Sequence, residues 1–432
     1  MSADQVNLVL EQHAPALAAC LSPLGRRLFY PADIPVQAAE ARHTTFNSTI
    51  GIFTDGRGGA VPLPSMDAAL RLPDADRDRA FLYSPVPGFD ELRRRWRDWQ
   101  RENGPPDAGP STLPVVTVGL THGLSILADL FGGEGRTVAV PQPFWGNYRQ
   151  TFTLRTGAEV ASAPAFRGGR YHPEAVAEAL AGLAPGRPAI AILNFPGNPG
   201  GYSPTVDERR RLRESLLEIA DRRPLIAVCD DAYAGLVYEP EIPRHSFFWD
   251  IAGIHDQLLA VKVDGATKEL SFFGGRVGFL TFGLDLGEEA ADALENKLKS
   301  LVRSTLGSPV AASQMIVLQA LRDGRAHREV AEIRRIAGER YRALKPALEA
   351  LDPALLRPLP FNAGFFALIE LPEELGVTAD EVRRHLLANH DTGIVAVGSR
   401  YLRLATCSVA AAALPELVAR VVRGVEELAG SS

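Results

Sequence analysis

The sequence predicts an α/β protein with a large, mostly parallel seven-stranded sheet, helices on both its faces, and a smaller α+β domain. Three observations carry this expectation. Between about residues 112 and 282, short apolar runs alternate with longer amphipathic stretches, the pattern that lays a parallel sheet beneath crossover helices. After about residue 285 the texture changes to long helical periodicities. The chain has 432 residues, 46% hydrophobic and 23% charged, which supports two or three domains with sizeable cores and excludes a disordered, collagen-like or disulfide-stapled chain.

Taken in order, residues 1–75 are rich in Pro, Gly and Thr with little periodicity, and read as an N-terminal arm plus part of the small domain. Residues 76–305 read as the large domain. Its strand candidates are 113–119, 137–141, 159–164, 188–194, 224–230, 258–263 and 277–283. Among the helices between them, 206–223 has Thr205 and Glu208 at capping-box spacing. Residues 306–432 read as a linking helix and a small C-terminal domain. Long helical patterns at 287–304 and 327–351 lead to a strand at 365–371, a helix near 379–389, a strand at 401–407 and a C-terminal amphipathic helix.

A net charge of -6 argues against a nucleic-acid surface, which needs a clustered basic footprint. Small anionic ligands stay possible, because a local pocket can be positive on an acidic protein. The three cysteines, Cys20, Cys229 and Cys407, are far apart and form no CxxC pair, so neither a disulfide framework nor a structural zinc site is expected, and no metal is assigned. The N-terminus lacks the basic start and apolar run of a secretion signal, and no stretch approaches eighteen uninterrupted apolar residues. A cytoplasmic protein with no membrane partner is the expectation.

In open α/β sheets the ligand sits beyond the carboxyl ends of the strands, and four of those junctions are chemically unusual. Gly119-Leu120-Thr121-His122-Gly123 opens a helix after the first strand, where backbone N–H groups and a hydroxyl can cradle a phosphate. An ordinary strand–helix turn reads the same way. Asn194 to Tyr202 holds two Asn, two Pro and three Gly, a rigid turn that can aim the Asn198 amide at a ligand, or a plain solvent loop. Asp230, in Cys229-Asp230-Asp231-Ala232-Tyr233, ends a buried strand, where a carboxylate needs a cation or strong donors; it either stabilises a protonated ring nitrogen or caps the next helix.

The fourth junction carries the amine. The 46 basic residues comprise 41 Arg and only five Lys, at 262, 268, 297, 299 and 345. Lys268 lies at a strand end among small residues, with Arg276 eight positions on to offer a planar fork for an anion. A desolvated lysine near other cations has a lowered pKa, and its neutral amine forms Schiff bases. The other four read as solvated or edge side chains, Lys262 among them because it alternates with valines in a strand.

Together, in this order, these residues resemble the fold-type I pyridoxal-phosphate (PLP) enzymes, specifically the class I/II aminotransferases, over about residues 46–403. The resemblance implies that Lys268 forms a Schiff base with PLP and then shuttles the substrate α-proton. It makes Asp230 the partner of the pyridinium nitrogen and Tyr233 and Asn198 donors to the phenolic oxygen. Gly119, Leu120, Thr121, Thr267 and Arg276 would hold the phosphate. Trp145 falls where the family stacks an aromatic ring on the cofactor, although core packing accounts for it too. Tyr83 matches a tyrosine that reaches the phosphate of the neighbouring subunit, which implies a homodimer. Arg403 resembles the arginine for the substrate α-carboxylate, with Arg400 as the alternative. Gly51, in the loop Asn47 to Ile52, lets that loop come close over the substrate. Two departures stand out: Gly265 replaces a frequent phosphate-binding Ser three residues before the lysine, and Gly200 replaces a usual Thr.

The function implied is transfer of an amino group between an L-amino acid and a 2-oxo acid by a ping-pong cycle. A PLP-dependent C–S lyase or other β-eliminating enzyme shares the first proton abstraction and is the alternative. A regulatory domain of aminotransferase type is disfavoured, because under 50 residues precede the similar region. Phe365 and Phe366 suggest an apolar wall or simple core packing.

Overall fold

The computed structural model describes residues 2–31 and 33–430. All seven expected strands form: β1 (Val115–Thr117), β2 (Thr137–Ala139), β3 (Glu159–Ala161), β4 (Ala189–Leu193), β5 (Leu225–Asp230), β6 (Leu258–Gly265) and β7 (Gly278–Phe282). They join in one sheet of order β1-β7-β6-β5-β4-β2-β3. Only β7 runs antiparallel to its neighbours; every other pairing is parallel.

Side-chain alternation along β4 divides the two faces. Ile190 and Ile192 enter one core with Leu124, Leu298 and Val302, and Ala189, Ala191 and Leu193 enter another with Leu212, Leu216 and Ile219. Three helices supply these partners: α2 (Gly119–Phe131) and α4 (Glu288–Thr305) on the first face, α3 (Val206–Ala220) on the second. A sheet buried on both faces explains why its strands read as near-continuous apolar runs. The capping box of α3 forms, with Glu208 N–H donating to Thr205 Oγ1 at 3.3 Å and Thr205 N–H donating to Glu208 Oε2 at 2.8 Å.

Ahead of α2, the helix α1 (Asp90–Glu102) packs Trp96 on Phe279 with ring centroids 4.2 Å apart. Past α4 come α5 (Ala311–Arg322), which the sequence reading did not identify, and α6 (Ala326–Glu349). A second sheet follows, built from β8 (Arg357–Pro358), β9 (Phe366–Glu370), β10 (Val395–Val397) and β11 (Tyr401–Ala405) in the order β8-β9-β11-β10. The helices α7 (Ala379–Asn389) and α8 (Leu414–Ala429) share its core with Leu344 and Leu348 of α6. The first 75 residues are more regular than their composition suggests, with short helices at Ala3–His13, Pro15–Ala19, Pro23–Arg27 and Ile34–Glu40. Phe46–Asn47 then pairs with Thr392–Gly393 beside α7.

Lys262 departs from its expected place at an edge or in solvent. It lies in the central strand β6 at 4% exposure, its Nζ donating to Asp231 and 3.2 Å from Asp264 Oδ2. Asp264 in turn accepts from Trp96 Nε1 at 3.0 Å and from Gln100 Nε2 at 2.9 Å. The alternation with valines is real, but α1 covers the face that would otherwise meet water. Burial pulls this amine's pKa down, and Asp231 and Asp264 outweigh it, so Lys262 stays a cation above the ordinary lysine value. It is an ion-paired structural lysine.

Candidate active site

Four sheet junctions, the 47–52 loop and strand β11 converge beyond the carboxyl ends of the sheet's strands. Asp230 ends β5 at 3% exposure, its Oδ2 accepting from Tyr148 Oη at 2.7 Å and its Oδ1 from Ala232 N–H at 3.3 Å. Burial raises the Asp230 pKa, while the Tyr148 hydrogen bond and the nearby Lys268 charge act against it. Asn194 locks the adjacent turn, donating from Nδ2 to the Asp230 carbonyl at 2.7 Å and accepting from Asn198 N–H at 2.7 Å. Asn362 holds the far side of that turn by exchanging two 2.9 Å hydrogen bonds with the Ser203 backbone.

Lys268 follows β6 on a single turn, Ala266–Glu269. Its Nζ sits over the Tyr233 ring, 5.4 Å from the centroid. Burial lowers its pKa, Arg276 lowers it further, and Asp230 opposes them. The Tyr233 hydroxyl, hydrogen-bonded to Asn198, is shifted up by burial.

Beside the lysine is an anion-shaped corner. Gly119 opens α2 at φ +73, and a Cβ there would lie 2.4 Å from Arg276 Nη2, so only glycine lets the guanidinium reach the helix N-terminus. Arg276 itself has φ +52, a left-handed conformation uncommon for a residue with a side chain. Thr267 Oγ1 is buried there with no hydrogen-bond partner. Leu120 is buried behind the corner and Thr121 is exposed at its rim.

Arg403 closes the opposite side. At 1% exposure on β11 it donates from Nη1 to Asn198 Oδ1 at 3.0 Å and from Nη2 to the Thr49 carbonyl at 2.5 Å, while its Nε has no partner. Its guanidinium rests on the Phe366 ring, 4.3 Å from the centroid, and burial lowers its pKa to about 10. A Cβ on Gly51 would meet that ring at 2.7 Å, so the 47–52 loop lies directly against it. Arg400 instead pairs with Glu370 at 2.9 Å and with Glu373 at the rim, which leaves Arg403 as the inward arginine.

The structure thus brings together Lys268, Asp230, Tyr233, Asn198, Gly119, Thr267, Arg276 and Arg403. Trp145 packs edge-on against Tyr148 with centroids 5.6 Å apart, and both Trp145 and Asn198 line an adjoining cavity of about 660 Å³. Tyr83 is 97% exposed and packs on none of these side chains. Sequence reading missed Tyr148, Asn194 and the Thr49 carbonyl. The first two carried a signal, a tyrosine three residues after Trp145 and an asparagine at a strand end; a backbone carbonyl carries none.

The family model described as "Aminotransferase class I and II" matches residues 49–421. An aspartate aminotransferase of Bacillus sp. (strain YM-2) is 24% identical over 78% of this chain and 80% of its own. A 2-aminoadipate transaminase of Thermus thermophilus is 26% identical over 76% and 77%. The solved α-aminoadipate aminotransferase of Thermus thermophilus, complexed with N-(5'-phosphopyridoxyl)-L-leucine, superposes with a TM-score of 0.73 at 22% identity, covering 96% of this chain and all of that one. The chain belongs to the class I and II aminotransferases, enzymes of fold type I that use pyridoxal 5'-phosphate.

Proposed function

We propose that this aminotransferase exchanges an amino group between an L-amino acid and a 2-oxo acid in a two-half cycle, with Lys268 as its proton carrier. The observation that carries this is a lysine held largely out of water, with its pKa lowered, between an acidic strand end and an arginine-lined corner.

The residues present fit the cofactor. The unpartnered Thr267 Oγ1, the α2 N-terminus at Gly119 and the Arg276 guanidinium form a corner for its phosphate, with Leu120 and Thr121 extending it. Asp230 would hold a proton on its ring nitrogen, Tyr233 and Asn198 would donate to its phenolic oxygen, and Trp145 would cover its ring. When bound, PLP supplies an aldehyde that accepts the amino group and a ring that takes up the electron pair left at Cα.

The chain's own residues then act in turn. Arg403 takes the substrate α-carboxylate through its free Nε and a donor released from Asn198 or Thr49. Lys268 Nζ, whose pKa burial lowers, accepts the Cα proton in its neutral form and returns one during amino transfer. Gly51 keeps the 47–52 loop close enough to exclude water.

The proposal includes a homodimer in which Tyr83 reaches the neighbouring site. Its support is the exposed apolar run Phe81, Leu82 and Tyr83, joined to the exposed Val310 by the Ser84 Oγ donation to the Pro309 carbonyl at 2.7 Å. A cytoplasmic setting is supported by three unpaired cysteines. No helix among the described residues is long and apolar enough to cross a membrane.

Incubating the holoenzyme with single amino donors tests the reaction. Accumulation of pyridoxamine phosphate and a 2-oxo acid is expected; pyruvate and ammonia would instead establish elimination. Lys268→Ala should lose the visible absorbance of the linked cofactor and slow turnover by at least about 100-fold, with its circular dichroism unchanged. A fully active Lys268→Ala enzyme would refute the assignment.

A further inference from the structure

A group of side chains at the end of α7 plays no part in the site above. His385 Nε2 and His390 Nε2 lie 2.6 Å and 2.9 Å from one atom, Glu427 Oε2 of α8. All three ligand-capable atoms fall within 4.8 Å of one another. The histidine side chains are 21% and 14% exposed, whereas Glu427 is 50% exposed. The two rings stand 5.5 Å apart at centroid and tilt by 52°, so their nitrogens converge rather than stack.

This donor set, two imidazoles and a carboxylate, suits borderline first-row divalent ions and not Mg²⁺ or Ca²⁺, which prefer all-oxygen shells. A tetrahedral ion with bonds of about 2.0–2.2 Å spaces its ligand atoms by roughly 3.3–3.5 Å. The His390–Glu427 gap of 2.9 Å therefore opens by about 0.5 Å, and the His385–Glu427 gap of 2.6 Å by about 0.8 Å, to admit one. The supporting contacts are in place. The Asn389 amide lies 3.0 Å from His385 Nδ1, which fixes that ring with Nε2 facing inward, and amide orientation lets the same residue accept from an Nδ1–H. Arg420 and the Thr392 hydroxyl, the latter at 2.7 Å, hold the His390 carbonyl.

We propose that His385, His390 and Glu427 bind a Zn²⁺-like divalent ion that joins the C-terminal end of α7 to α8, with a fourth position open to water. Cysteine spacing could not have indicated this site, because it contains no cysteine and unites two helices.

Calorimetric titration of the metal-free holoenzyme with ZnCl₂ tests it, in a Cys20→Ser background that removes the exposed thiol as a competing ligand. One ion per chain and a higher Tm with Zn²⁺ but not Mg²⁺ are expected. His385→Asn and His390→Asn should each abolish the binding. Asn389→Ala, which keeps all three ligands, should weaken it by about 10–100-fold. Thermal melts in chelator show whether each variant folds. No uptake by the parent protein, or equal uptake after both histidine substitutions, would overturn the proposal, and so would undiminished affinity in a folded Asn389→Ala protein.

Discussion

Tyr148 donates a 2.7 Å hydrogen bond to Asp230, and both side chains are almost completely buried, at 1% and 3% exposure. A carboxylate so far from water depends on that hydroxyl. Burial pushes the Asp230 pKa up, and Tyr148 is the largest influence pulling it back. Tyr148→Phe should therefore cost about 1.5–3 kcal/mol of stability, the worth of a hydrogen bond to a charged group. It should also raise the Asp230 pKa, so that activity falls on the acidic side at a higher pH than in the parent enzyme. Denaturant melts and a pH profile of kcat/KM measure both effects.

Arg403 is expected to act on substrate and not on cofactor. Arg403→Ala should lower kcat/KM by an amount equivalent to about 2–5 kcal/mol, the loss for a buried charge pair, while PLP content stays stoichiometric. Arg403→Lys should rescue little, because one ammonium cannot serve Asn198, Thr49 and a carboxylate together. Loss of cofactor from either variant would mean that Arg403 belongs to the cofactor site instead.

The two glycines that depart from the family pattern differ physically. A Cβ on Gly265 would lie 2.5 Å from the Val277 carbonyl oxygen and 2.8 Å from Gly278 Cα, whereas one on Gly200 meets nothing within 4 Å. Gly265→Ser should thus destabilise by about 1–3 kcal/mol, the range for overpacking. Gly200→Thr should fall within about 0.5 kcal/mol of the parent. Equal Tm values for the two variants would contradict this contrast.

Glu269, next to the active lysine, accepts from Trp99 Nε1 at 3.0 Å in the enclosure shared with Asp264 and Lys262. Burial, with Asp264 adding to it, pushes its pKa from 4.5 to about 8. Between those values the folded protein keeps a proton that the unfolded chain has released, so stability falls as pH rises. The slope is at most about 1.4 kcal/mol per pH unit. Glu269→Gln should flatten that part of the curve, as chemical denaturation from pH 5 to 9 would record.

Local signals were legible in proportion to how local they are. The seven strands and the Thr205–Glu208 cap depend on period and short spacing, and all formed. Lys268 stood out because lysine is scarce in this chain and the strand ended there. Lys262 was misread because alternation reports two faces without saying whether a helix covers the second, and α1 does. The helix α5 and the short helices of the first 75 residues lacked a clear periodic stripe. Tyr148 was missed because its partner lies 82 residues away.

The Arg403 contacts also govern when the site comes into being. Its guanidinium binds Asn198 and Thr49, which precede it by 205 and 354 positions. During synthesis the first 402 residues can form every strand of the large sheet while this corner has no cation. The chain must close a very long loop before the corner exists, although the entropic penalty grows only logarithmically with loop length. Competence to grip a substrate therefore arrives only after every strand of the large sheet has been made, and a ribosome-bound chain that stops short of residue 403 would lack it.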